Sequence, residues 1–335
     1  MTARLALLRP GVGVTVQDLG RKGFRALGVP ASGALDAEML AAANVLAGAA
    51  DGAAGLEILL AAPELRVDAG AARLGLAGDL SGVVRRAGGG REEIISWRGV
   101  ALSEGDTLTL RLGQGPAYLG FSGGLDLPPV LGARSTFLRA GFGGLEGRAL
   151  RADDALACGA AAGDDLAGPP FSRGRGPIRF IPGPQADHFL PEALDLFTAS
   201  AWRACADSDR MGLRLSGPRL RHGPSGANIL TDGATPGAIQ VPGDGQPIVL
   251  RADCQTSGGY AKIGCVILAD LPRLAHVAPG DVLTFAPVGH DEATAARREA
   301  REAFARWRAR LAPIGGWDDK RLWTENLISG ATSGE

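Results

Sequence analysis

The chain has 335 residues, enough for two domains at about 150 residues each, and 35 Lys or Arg against 36 Asp or Glu give a formal net charge of −1. That balance excludes a general binder of nucleic acid or of anionic membranes. Glycine supplies 51 of the 335 residues, roughly twice its ordinary share. With no G-X-Y period, this excludes a helical bundle and favours turn-rich β structure.

Strands are expected at Leu5–Leu8 and Val12–Val16, where apolar and small residues alternate around the Pro10-Gly11 turn. A first helix is expected over Leu35–Leu46. Ser32 or Gly33 opens it, Leu35, Met39, Ala43 and Leu46 share a face, and Gly48 follows its end. Residues 56–158 read as short β runs between turns: LEILL, LRV, ARLGLAG, DTLTLRL, AYLGF. Residues 158–177 are small, rich in Gly and Pro and aperiodic, which makes them the expected domain linker. A second β-rich half begins at IRFIPGPQ and holds a helix over 187–202 with Phe189, Leu194 and Phe197 inward. It continues through GAIQVP, PIVLRA, CVILAD and DVLTFAP. ADDAL (152–156) and PGDVL (279–283) close the two halves with a faint echo. Residues 291–311 place Ala300, Phe304, Trp307 and Leu311 on one stripe of an amphipathic helix, and disorder is expected after Gly330. The expected division is 1–165, 166–290, a helix over 291–312 and a tail over 313–335.

Cys158, Cys205, Cys254 and Cys265 show no C-x-x-C spacing and no nearby His, which argues against disulfides and structural zinc and fits a reducing cytoplasm. Arg4, Arg9 and Pro10 interrupt any signal-like run, and no apolar stretch has the length of a membrane span. There is no Gly-Lys dipeptide and hence no P-loop, and H-E-x-x-H is absent. Gly120-Phe121-Ser122-Gly123-Gly124 fits G-x-S-x-G in form only. Pro128-Pro129 blocks the helix that a nucleophile elbow requires, so Ser122 reads as a loop residue.

Four segments are dense in polar residues and glycine: Gln17-Asp18-Leu19-Gly20-Arg21, Gly132-Ala133-Arg134-Ser135-Thr136, Ser208-Asp209-Arg210-Met211-Gly212, and the stretch from Gln240 through Gln246 and Asp253 to Thr256-Ser257-Gly258-Gly259-Tyr260. Two readings fit them. The Asp-Arg pairs are ion pairs beneath tight turns, or they belong to a site where Arg holds carboxylate or phosphate and Gly-Gly lets backbone N–H groups approach a ligand. Lys262 stands out as one of only three lysines, with Lys22 and Lys320.

The segments TVQDLGRKGFRALGVPASGALD (15–36), SGGLDLPPVLGARST (122–136), SDRMGLRLSG (208–217) and GAIQVPGDGQPIVLRADCQTSGGYAKIGCVILADL (237–271) resemble the biotin-dependent carboxyltransferase-like family. Its members include 5-oxoprolinase C subunits, allophanate hydrolase subunit 2-like proteins and the second half of urea carboxylase carboxyltransferase domains. The likeness runs over about residues 5–290, with Ala62, Ala133 and His276 as departures. It implies a mostly β fold with a few helices, built as two cyclophilin-like β-barrel halves with a C-terminal amphipathic helix.

The resemblance also implies a hydrolase subunit in an ATP-dependent complex that opens the lactam 5-oxoproline to glutamate. Such a subunit is inactive without a directly bound B-type subunit and an A-type subunit, uses ATP and Mg²⁺ within the complex, and carries no covalent biotin. Lys262, Arg210, Asp253 and Asp209 are then the catalytic candidates. Gln17, Asp18, Arg21, Arg134, Ser135, Thr136, Gln240, Gln246, Thr256, Gly258, Gly259 and Tyr260 are the substrate- or nucleotide-binding candidates, and no metal ligand is assigned. Two alternatives stand beside this reading. One is a carboxyltransferase component acting on urea or another small amide with a biotin carrier. The other is a regulatory binding protein of the kinase-inhibitor-antagonist type. Prolyl isomerisation is the weakest reading, since a fold does not carry a site with it.

Overall fold

Thr2–Arg9 buries Ala3, Leu5 and Leu7 and turns Thr2 and Arg4 outward, the period of two that a half-buried strand requires. It pairs antiparallel with Ala155–Gly159 on one side and Glu64–Ala69 on the other, and the sheet continues through Thr107–Leu112, Leu80–Arg85 and Arg91–Ile95. A second sheet runs in the order Val12–Gln17, Gly55–Ala61, Ala117–Phe121, Ala71–Ala77, Arg98–Ser103, Leu166–Ala167, Ala312–Pro313. Leu5, Leu7, Val16, Leu56, Leu65 and Leu119 from the two sheets share one core. The computed structural model describes residues 2–171 and 173–314.

Helix α1 (Ala37–Leu46) packs on the second sheet. Two glycines permit the approach: a Cβ on Gly75 would stand 1.9 Å from the Ala43 carbonyl oxygen, and one on Gly120 would stand 2.4 Å from the same atom. The helix starts later than expected. Asp36 is its N-cap, with its carboxylate accepting from Met39 N at 2.9 Å. Ser32 and Gly33 both sit at positive φ, outside the helix.

The second half is one eight-stranded sheet in the order Val282–Leu283, Trp202–Ala204, Gly212–Ser216, Ile248–Leu250, Ala238–Gln240, Lys262–Val266, Ile178–Pro182, Phe285–Pro287. Its two edge strands are separated in sequence by Thr284 alone, so the sheet curls almost shut. Phe180, Phe197, Trp202 and Phe285 fill it, with the Phe197 and Phe285 rings stacked at 4.7 Å. The helix expected over 187–202 shrinks to α2 (Ala193–Ala199), because Trp202–Ala204 leaves to pair with Gly212–Ser216 and Val282–Leu283. A short helix, α3 (Leu271–Ala275), precedes the closing strands. A ribbon of Asn228–Gly233 and Ser257–Tyr260 stands apart from the barrel sheet.

The long final helix, α4 (His290–Arg308), lays its stripe on its own chain. Trp307 and Phe304 join Met39, Trp97 and Phe171, and Trp307 Nε1 donates to the Pro169 carbonyl at 2.9 Å. The expected linker 158–177 is tied down along the first half. Arg73 pairs with Asp165 at 2.7 Å, and Arg173 reaches Glu38 at 2.6 Å and the Asp36 carboxylate. Among the described residues, strand at 38% against helix at 15% bears out the mostly β expectation. The tail expected after Gly330 lies outside the described residues.

Candidate functional site between the two halves

Residues 32–36 leave the first half and touch the second, with Ser32 N donating to the Ala252 carbonyl at 3.2 Å. Arg210 enters the same junction and is 8% exposed. Its Nε and Nη2 grip the two oxygens of Asp253 at 2.8 and 3.1 Å, Nη1 donates to Glu57, and Nη2 donates to the Gly33 carbonyl at 2.7 Å. Glu57 is fully buried and also accepts from Tyr118 Oη and from Leu35 N, each at 2.8 Å. Tyr118 Oη accepts from Asp36 N at 2.9 Å, and Asp36 in turn holds Arg173 and His276 Nε2, the latter at 2.9 Å. Burial opposes the charge on Arg210, but Glu57 and Asp253 outweigh it and raise the guanidinium pKa above its ordinary value. Burial, with Glu57 and Asp36 behind it, lifts Tyr118 well above the usual phenol range, so it stays a neutral donor. Burial also opposes ionisation of Asp36, yet Arg173 and His276 hold its carboxyl below the ordinary range.

Of the two readings left open for Asp209 and Arg210, the ion pair between them is not formed. Asp209 Oδ1 accepts from Met211 N and Gly212 N at 2.8 and 3.1 Å, closing its own turn. Arg210 takes one carboxylate from each half instead, and so acts as a strut across the junction.

The first-half candidates form a second knot, in which Arg21 also feels the charge of Asp253 from the junction. Asp18 accepts from Gly20 N at 2.8 Å, Arg134 N at 2.5 Å and Ser135 Oγ. Gln17 Nε2 donates to Thr15 Oγ1 at 3.0 Å and to the Thr136 carbonyl at 3.2 Å, while Thr136 Oγ1 donates to the Val16 carbonyl at 3.0 Å. Arg21 donates to the carbonyls of Ser135 and Val130 and lies 4.7 Å from the Phe142 ring centroid, and burial lowers its pKa. Arg134 Nε donates to the Leu127 carbonyl at 2.6 Å. These groups fasten the 130–144 loop to the strand Val12–Gln17.

A cleft of about 740 Å³ opens beside the strut, with Asp253 at the boundary of both. Phe137 and Arg139 line it from the first half, and Asp209, Gln240, Gln255, Thr256 and Tyr260 from the second. Gln240 is 2% exposed. Its Oε1 accepts from Gln255 Nε2 at 3.4 Å, and its Nε2 has no partner among the described residues. A Cβ on Gly258 would stand 2.5 Å from that nitrogen, so the ribbon crosses close over the end of the Gln240 side chain and any larger residue would displace that amide. Gly259 lies in the same ribbon, paired with Asn228–Gly233.

Lys262 does not line the cleft: its ammonium is 2.7 Å from Asp232 Oδ2 and 3.2 Å from the Gly233 carbonyl. Gln246 clips the amide and carbonyl of Gly217 at 2.9 and 3.2 Å, away from the cleft. Ser122 is buried, donating to the Gly159 carbonyl at 2.6 Å, as a structural loop residue does. Sequence reasoning missed Glu57, Tyr118, Arg139 and Gln255. The signal for Glu57 was present, because an acid inside the apolar run LEILL needs a buried partner. Among the described residues no group of three or more His, Cys, Asp and Glu side chains could hold a metal, and no helix is long and apolar enough to cross a membrane.

Residues 27–287 match the sequence model of the carboxyltransferase domain, subdomain A and B. The chain belongs to this family. Its relatives there include the 5-oxoprolinase C subunit of Escherichia coli (strain K12), 37% identical over 316 residues that cover 91% of this chain and 98% of that one. The urea amidolyase of Lachancea kluyveri is 30% identical over 85% of this chain, but the match spans only 17% of that protein. Among solved structures, the urea amidolyase of K. lactis superposes with a TM-score of 0.81 at 26% identity, covering 91% of this chain and 20% of that one. TTHA0988 superposes with a TM-score of 0.72 at 33% identity, covering 85% and 56%.

Proposed function

We propose that the chain is the subunit of an ATP-dependent, 5-oxoproline-hydrolysing assembly that holds the small amide substrate in the cleft between its halves. The single observation that carries this reading is the near end-to-end correspondence with the 5-oxoprolinase C subunit of Escherichia coli.

The cleft chemistry supports the reading. Gln240 and Gln255 offer amide donors and acceptors suited to a lactam C=O and N–H, and Thr256 and Tyr260 add hydroxyls. Arg139 lines the cleft where a substrate carboxylate can be paired. Asp253 forms part of the cleft wall, and Arg210 fixes the position of its carboxylate.

A lactam is resonance-stabilised and a poor electrophile, so its carbonyl must be activated before water can add and the ring C–N bond can break with the nitrogen leaving as the amine; bound ATP would supply that activation by phosphorylating the carbonyl oxygen. The candidate residues of this chain do not fit the nucleotide. Arg210 and Lys262 are paired with carboxylates of this chain, Arg21 is tied to the backbone of the 130–144 loop through the Val130 and Ser135 carbonyls, Arg134 Nε is held by a carbonyl, and both oxygens of Asp253 face Arg210. We therefore assign Mg²⁺ and ATP to a site built by the partner subunits, a directly bound B-type and an A-type subunit, in the cytoplasm. This chain binds and orients the lactam and excludes bulk water.

The test is turnover with and without partners. The purified chain should show no 5-oxoproline-dependent ATP hydrolysis, and adding the partner subunits should restore it. In the assembled enzyme, Gln240→Ala should lower kcat/KM about tenfold, a loss of about 1.4 kcal/mol. Robust turnover by the isolated chain would overturn the reading.

A further inference from the structure

The segments that hold the Arg210 strut, residues 32–35 and 250–253, also wall a second cavity of about 260 Å³. Leu271, Leu274 and Ala275 of α3 close one side, and Arg297 of α4 is part of its wall. Among the described residues no carboxylate lines this cavity, whereas Arg251 and Arg297 both do. Arg251 differs from its neighbours. Arg173, Arg179 and Arg210 each pair with a carboxylate, while Arg251 is fastened by the carbonyls of Asp209 and Leu274, at 3.3 and 2.6 Å. Its Nε has no partner among the described residues. Burial lowers its pKa to about 10, and the fields of Asp209 and Glu57 offset that only in part. A half-buried cation with no counter-ion is costly, and an anion that pairs with it recovers that cost.

Ser32 adds a second sign of a site. It is a non-glycine residue at φ +52°, and its buried hydroxyl has no partner among the described residues. Such strain and such orphaned groups gather where ligands bind.

We propose that this cavity binds a small monocarboxylate with an apolar body, its carboxylate on Arg251 and its hydrocarbon against Leu271, Leu274 and Ala275. The volume suits such a molecule: a cavity of about 150 Å³ takes up benzene, so this one has room for a body of about six carbons and its carboxylate. The ligand touches both halves on the segments that carry Gly33 and Asp253, so its occupancy tightens the junction at the strut.

Calorimetric titration of the full chain with hexanoate, and with hexanamide as its uncharged match, tests the assignment. Hexanoate should bind at least about tenfold more tightly, a difference of about 1.4 kcal/mol. Arg251→Gln should erase that preference. Ala275→Leu, which fills the cavity and keeps the guanidinium, should abolish binding of both compounds at an unchanged melting temperature. Equal affinity for the two compounds, no hexanoate binding to the unaltered chain, or hexanoate binding that survives Ala275→Leu would each overturn it. None of these measurements needs a partner subunit or turnover, so they succeed or fail independently of the proposed function.

Discussion

Arg210→Lys is the sharpest probe of the junction. Arg210 spreads its donors over Asp253 Oδ1, Asp253 Oδ2, Glu57 and the Gly33 carbonyl, which lie on different sides of a planar fork. An ammonium is a single point and cannot reach Asp253 and Glu57 together. One carboxylate, 0% or 4% exposed, is then left without its cation. Breaking a buried pair by removing one partner costs about 3–5 kcal/mol. Since lysine keeps one of the two contacts, the expected loss is at the lower end, about 3 kcal/mol. Urea denaturation followed by tryptophan fluorescence reads this out, because Trp202 lies in the second-half core and Trp97 and Trp307 lie in the first-half cluster. Adding Glu57→Gln to the lysine variant should cost less than the sum of the two single changes, since the pair is already broken. A loss under about 1 kcal/mol for Arg210→Lys, within the range of ordinary surface changes, would refute the strut.

Three further outcomes follow from the packing and the ion network. Asp36 has a folded-state pKa below its ordinary value, so its stabilisation is complete above about pH 4 and disappears as pH falls through the folded value. The stability gap between the unaltered chain and Asp36→Asn should therefore narrow in acid melting series, and a gap that does not change with pH would contradict the network. Gly75→Ala should cost at least about 3 kcal/mol in denaturant midpoints, because its Cβ would press into the Ala43 carbonyl at 1.9 Å, whereas Gly88→Ala, with open space around it, should be nearly neutral. Burial pushes the Cys158 thiol up to about 11, so at pH 8 it should resist iodoacetamide in the folded chain while the half-buried Cys205 reacts; equal labelling by mass spectrometry would show that the first-half core opens.

Features that depend on short-range pattern were legible in the amino-acid order. Alternation in Thr2–Arg9 and the glycine content pointed to β structure, and the stripe through Phe304 and Trp307 pointed to an amphipathic helix, which the fold lays on its own chain. Both are properties of a few consecutive residues, because a strand repeats every two positions and a helix every 3.6. The long motif segments placed the chain in its family and marked the stretches that meet at the junction.

Tertiary structure alone decided which polar groups face one another. Glu57 lies 153 positions from Arg210 and Asp253 lies 43 from it, and no local period encodes such separations. Adjacency in sequence even misled: Asp209 turns away to cap its own turn, Lys262 is held by Asp232, and Trp202 leaves the expected helix to complete a sheet. In each case a partner brought close by the closing barrel or by the docking of the two halves outweighs the local preference. A buried charge must find a counter-charge wherever the fold places one, and only the packed chain determines where that is.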